Sequence, residues 1–177
     1  MTWAPRPCSF KGAWARRPCH VKTVHKMSIP FSITRRVQFS ETDMAGIMHF
    51  SNYLKMMEEV EHAYFRSVGL SVSMQHDDIH VGWPRVSAGC EYFEPVKFED
   101  EIELRLRVSR VGGKSFSYEV DFMVRDKRAA LGKVTSVCCA IDDGELRSIS
   151  IPAAIREKLT KDLASPTPSR HPKSKDE

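Results

Sequence analysis

The stretch FSETDMAGIMHFSNYLKMMEEVEHAYFRSVG, Phe39 to Gly69, decides how this chain of 177 residues is read. Its second part has a helical period. Tyr53, Met56, Met57, Val60, Tyr64 and Val68 recur three and four residues apart, making one apolar stripe over Ser51–Val68. Lys55, Glu58, Glu59, Glu61, His62 and Arg66 fall largely off that stripe. Ser51 or Asn52 can cap the start, and Gly69 supplies a stop. The first part, Ser40 to Phe50, holds Gly46 among small and polar residues and reads as a loop.

The pattern on either side is β. Upstream, Phe31, Ile33, Val37 and Phe39 alternate with Ser32, Thr34, Arg36 and Gln38, with Arg35 a defect on the apolar side. Downstream, residues 70–83 show no period and read as a loop. From Arg85 the alternation is sustained: Val86, Ala88, Cys90 and Tyr92, with Pro95 ending that strand. Then come Ile102, Leu104, Leu106 and Val108, a Gly112-Gly113 hairpin, and Phe116, Tyr118, Val120, Phe122 and Val124. Asp126-Lys127-Arg128 reads as a turn. Ala129 to Ile141 reads as one central strand, and Asp143-Gly144 as another turn. Pro152 opens a short final helix running to about Leu163. One strand, one long helix and a short-turned meander imply an α+β fold: an antiparallel sheet with the helix laid on its face. The short connections exclude a doubly wound dinucleotide fold.

Composition narrows the class further. Hydrophobic residues at 41% and charged residues at 28% fit a packed globular chain, not a disordered one. No apolar run reaches the length of a bilayer span. Five cysteines, an odd number without regular spacing, argue against a disulfide framework and for the cytoplasm. The net charge of +4 invites a nucleic-acid reading until its position is examined. Residues 1–26 carry six basic side chains and no acid, whereas 27–163 carry 18 basic and 21 acidic. The domain expected to fold, residues 28–163, is therefore slightly acidic, and no nucleic-acid partner is expected. The leader, 1–27, reads as disordered or as a start placed ahead of Met27, with a targeting peptide or basic arm as the other readings. Residues 164–177, rich in Pro, Ser and charge, read as a disordered tail.

The chemistry is expected in the loop. Asp43 precedes a helix N-terminus, where unpaired N–H groups and the positive end of the helix dipole can hold a developing oxyanion beside a carboxylate. Gly46 would let the backbone approach a ligand closely. Read alone, an Asp before a helix is usually just a cap.

Asp43-x-Ala45-Gly46-Ile47, then Asn52-Tyr53 and an acidic helix, resembles the 4-hydroxybenzoyl-CoA thioesterase family of hot-dog acyl-CoA thioesterases. Pro95 and the Gly113-Lys114-Ser115 step extend the resemblance over roughly residues 29–160. It implies a hot-dog fold, one helix wrapped by a curved antiparallel sheet, and thioester hydrolysis. Asp43 takes the place of the catalytic carboxylate, as nucleophile or as general base. Gly46 takes that of the loop glycine, and Phe50 that of the backbone N–H polarising the thioester carbonyl. Lys114 and Ser115 match positions near the CoA nucleotide or pantetheine. Two departures stand out: one branch has Tyr at the position of Phe39 and His at that of Phe50. Here the histidine stands one place earlier, at His49, which joins the candidate site. The resemblance also implies a homodimer or homotetramer with the site at the subunit interface. The substrate is a small-molecule acyl-CoA, with CoA as part of the substrate and no cofactor or metal.

The remaining candidates are weaker. Glu58 is a second possible acid, because some other hot-dog thioesterases use a helix carboxylate. His76, Asp77, Asp78 and His80 have metal-capable side chains but no helix to align them. No G-x-S-x-G or phosphate loop occurs. The competing functions are a hot-dog module that binds acyl-CoA or acyl-carrier protein without cleaving it, and a hydratase, against which the Asp43 loop argues.

Overall fold

The computed structural model describes residues 30–161 and 163; the expected leader and tail lie outside these. In order, the elements are β1 (Phe31–Arg36), α1 (Phe50–Ser67), β2 (Ser73–His76), β3 (Ile79–Gly82), β4 (Arg85–Tyr92), β5 (Glu101–Val111), β6 (Ser115–Val124), β7 (Lys127–Val137), β8 (Cys139–Asp142), β9 (Glu145–Ser148) and α2 (Ala153–Lys161). Five strands form one antiparallel sheet ordered β1-β5-β6-β7-β4, and four form a smaller one ordered β2-β3-β8-β9. The fold is α+β, and α1 lies on the inner face of the large sheet.

The expected single strand from Ala129 to Ile141 is two strands in two sheets, broken at Cys138. The β3–β4 pass breaks alongside it at Trp83-Pro84, where Val137 N–H donates to Pro84 O at 3.0 Å. The two sheets are thus halves of one long antiparallel pair, β3–β4 against β8–β7, bent at a shared point. Trp83 fills the bend, its ring against Phe65 and Phe116. Residues 70–83, expected as a loop, contain the β2–β3 hairpin; strands of four residues are too short for a period to show. In that hairpin His76 pairs with Ile79 and Gln75 with His80, so the two histidines face opposite sides.

Helix α1 buries Tyr53, Met56, Met57, Val60 and Tyr64 as the stripe requires, together with Asn52, Glu61 and Phe65. Burial of Glu61 corrects the sequence expectation; its carboxylate meets Arg85 of β4. The helix approaches the sheet over Gly132 of β7, where any Cβ would overlap Met57 Sδ. At the C-terminus, Gly69 takes φ +66° and Leu70 N–H reaches back to Phe65 O at 2.8 Å, a Schellman ending.

The turns differ from expectation in detail. Strands β6 and β7 join through Arg125-Asp126, with φ of 48° and 64°, one residue earlier than the expected turn. Asp143-Gly144 joins β8 and β9 with both φ positive, as a two-residue hairpin prefers. At the β5–β6 hairpin neither Gly112 nor Gly113 has positive φ. That tip is instead tied to the C-terminal segment. Arg156 donates to the carbonyls of Gly112 and Gly113, and Ile151 N–H donates to Gly113 O.

Candidate active site at the start of the long helix

Strand β1 ends at Arg36, and the chain makes one 3-10 turn at Phe39–Glu41 before the loop. Glu41 organises this region. Its carboxylate accepts from Gln38 N–H at 2.8 Å and from Arg35 Nη2 at 2.6 Å, and Arg35 Nη1 continues to Glu59 Oε2 of α1 at 2.8 Å. The charged interruption in β1 is therefore a tie between β1, the loop and the helix. Asn52 is buried and does not cap α1; its Nδ2 donates to Glu41 O at 2.8 Å. The cap is His49, whose Nδ1 accepts from Ser51 N–H at 3.4 Å and lies 2.9 Å from Ser51 Oγ.

Within the loop, Asp43 N–H donates to Ile47 O at 2.9 Å and Gly46 N–H to Asp43 O at 3.0 Å. Gly46 sits at φ +73° with nothing within 4 Å of a would-be Cβ. The left-handed backbone by itself calls for glycine there. Asp43 Oδ1 accepts from Ala45 N–H at 2.8 Å and from Ile47 N–H at 3.4 Å. Those bonds engage Oδ1, and Asp43 lines a cavity of about 390 Å³.

Asp43 and Phe50 line that cavity together, with Tyr53 of α1 and Tyr92, Phe93 and Glu94 at the end of β4. No described group accepts from the Phe50 N–H, the first of the helix, so it is available to a ligand. Tyr53 packs edge-on against Tyr92 at 4.8 Å, and burial pushes its hydroxyl up to about 12. Of the expected site residues, the structure brings Asp43, Gly46 and Phe50 to one place. His49 does not line the cavity; its ring lies 4.4 Å from that of Phe50 and caps the helix. Phe39 turns outward against Phe98. Lys114 and Ser115 sit at the far end of β5 from Glu101, hence far from Asp43 within one chain. Glu58 lies elsewhere on α1, 3.3 Å from Arg85. Tyr92, Phe93 and Glu94 were missed; the only signal was the aromatic run ahead of Pro95.

The model of the thioesterase-like superfamily matches residues 37–159 of the chain, an interval that contains every element around the cavity. This chain belongs to the thioesterase-like superfamily. A candidate esterase of Aquifex aeolicus (strain VF5) is 32% identical to this thioesterase over 131 residues, covering 74% of the chain and 98% of that protein. A 1,4-dihydroxy-2-naphthoyl-CoA hydrolase of Synechococcus sp. (strain CC9605) is 27% identical, covering 70% and 85%. A solved gentisyl-coenzyme A thioesterase superposes with a TM-score of 0.65 at 28% identity, covering 73% of this chain and 99% of its own. The hot-dog fold expected from the loop motif is the fold observed, and the protein is a thioester hydrolase. No helix among the described residues is long and apolar enough to cross a membrane.

Proposed function

We propose that this thioesterase hydrolyses an acyl- or aroyl-CoA to the free acid and CoA, with Asp43 as its catalytic carboxylate. Within the superfamily, the loop motif points to the 4-hydroxybenzoyl-CoA thioesterase branch. The observation that carries the reading is the cavity shared by Asp43 and the first turn of α1. A thioester carbonyl accepting from the Phe50 N–H would present its carbon to the carboxylate. The N–H and the helix dipole would hold the charge that develops on oxygen as the C–S bond breaks. Asp43 either attacks that carbon, giving a mixed anhydride that water then cleaves, or takes a proton from an attacking water. Neither route calls for a metal or a cofactor. His49 contributes by fixing the helix start that supplies the N–H.

A homodimer fits the surface. Strand β4 is a sheet edge whose Val86 and Tyr92 are exposed. Antiparallel pairing of two such edges would set the Arg85 end of one against the Tyr92 end of the other. Arg85 lies level with Ser136, and Phe116 pairs with that same residue at the Lys114 end. The pairing would therefore bring the partner's Lys114 and Ser115 to the same end of the joined sheet as Asp43. The three free thiols among the described residues fit a reducing compartment, the cytoplasm.

Asp43→Asn is the decisive variant. Thiol release from an acyl-CoA should fall by at least about 100-fold, with an unchanged circular dichroism spectrum. Turnover at the wild-type rate would remove Asp43 from the mechanism. Saturable acyl-CoA binding by the wild type without thiol release would point to a carrier-binding module.

A further inference from the structure

A second cavity, of about 400 Å³, adjoins the Asp43 cavity, with Glu94 and Pro95 as the wall they share. Lys97, Asp100, Arg125 and Lys127 line it. Many cations on the surrounding sheet are committed: Arg35, Arg36, Arg85, Arg105, Arg107, Arg128 and Lys133 all form ion pairs, whereas Arg66, Arg110 and Arg147, away from this cavity, form none among the described residues. Lys97 and Lys127 have no ion pair among the described residues. The carboxylate between them is already engaged. Asp100 Oδ2 accepts from Lys97 N–H at 2.8 Å, and Oδ1 lies 3.3 Å from Arg125 Nη2. Arg125 is 87% exposed, so most of its guanidinium remains open to a ligand. The cavity thus offers three cations against Asp100 and, on the wall toward Asp43, Glu94.

The turn between β6 and β7 fixes where Arg125 stands. Arg125 and Asp126 both occupy the left-handed region, in a turn where Asn-Gly would sit without strain. Glu99, on the other side of Asp100, does so too, at φ 69°. Each costs about 1 kcal/mol for a residue with a Cβ. In this hairpin the two-residue turn itself calls for both positive values, and it sets Arg125 at the rim of the cavity.

We propose that Lys97, Arg125 and Lys127 bind the phosphate groups of the CoA nucleotide. The thioester would then lie at Asp43 and the phosphates in the adjoining cavity of the same chain, with the partner's Lys114 and Ser115 left to the rest of the CoA. This rests on the thioesterase reading and assigns to these three side chains a binding role distinct from that of Lys114 and Ser115.

The test compares an acyl-CoA with the same acyl group on pantetheine, which carries no phosphate. In the wild type, KM for the CoA ester should be the lower of the two and should rise with salt. In the full-chain variants Lys97→Ala/Lys127→Ala and Arg125→Ala, the ratio of the two KM values should shrink by about tenfold. A ratio equal to that of the wild type would overturn the proposal, because damage to the fold or to Asp43 moves both substrates together. A ratio that collapses in Lys114→Ala but not in the groove variants would overturn it too. Should neither thioester be hydrolysed, calorimetric titration with CoA itself decides. Binding weakened about tenfold in the variants supports the assignment, and unaltered binding defeats it.

Discussion

Arg85 and Glu61 meet between β4 and α1, and the two sides of the pair are unequal. The Glu61 side chain is fully buried, while that of Arg85 is 32% exposed. Burial pushes the Glu61 carboxyl above its ordinary value of 4.5, and Arg85 offsets this only in part. Between 4.5 and that raised value the folded state holds a proton that the unfolded chain has lost. Stability should therefore decline as pH rises through this window. Glu61→Gln should flatten that decline in denaturant midpoints measured from pH 4.5 to 8. Arg85→Ala should be the more damaging change, by about 3 kcal/mol at pH 7, because it strands a buried charge. Lowering the pH should recover much of that loss as Glu61 takes up its proton. At this scale the sequence was half legible. Asp43, Gly46 and Phe50 stood in one motif. The ties of Arg35 to Glu41 and of Asn52 to a carbonyl depend on side-chain direction, which spacing does not reveal. Glu61 sat on the polar flank of the stripe and was drawn inward by a residue 24 positions away.

The contact of α1 with β7 turns on Gly132. Gly132→Ala should destabilise the protein by about 1–3 kcal/mol, read as a lower denaturant midpoint. Combining it with Met57→Ala should cost less than the sum of the two single changes, since they compete for one space. The β6–β7 turn should respond in the opposite sense. Replacing Arg125-Asp126 with Asn-Gly should raise the melting temperature, by relief of about 1 kcal/mol or more, while weakening CoA binding. The long helix was readable because its apolar residues keep a period over five turns. The break at Cys138 was not, because Ala129 to Ile141 is small or apolar on both faces and carries no alternation to interrupt. Strands β2 and β3 were hidden by their length, four residues each.

For the whole molecule, the exposed edge β4 is the controlling feature. A strand with one open edge, carrying Val86 and Tyr92 in solvent, is a template for a second strand. Val86→Lys should shift the protein toward monomer in sedimentation velocity. It should also lower specific activity in parallel, most steeply at low protein concentration. A monomeric variant with full activity would show that one chain holds a complete site. The architecture as a helix on a curved sheet could be foreseen from element order alone. The division into two sheets could not, since a bend shared by two chain passes leaves its mark only in three dimensions.

On the proposed mechanism, the asymmetry of the Asp43 carboxylate reaches into the isotopic course of the reaction. Oδ1 is held by two backbone N–H groups and Oδ2 is not. Along the nucleophilic route Oδ2 becomes the bridging oxygen of an anhydride. The Ala45 and Ile47 N–H groups then form an oxyanion hole for water attacking the Asp43 carboxyl carbon. A single turnover in heavy-oxygen water should therefore leave the label on Asp43 and release an acid carrying the enzyme's own oxygen. Along the general-base route the label should appear in the acid at once. Mass spectrometry of the peptide containing Asp43 reads the difference directly.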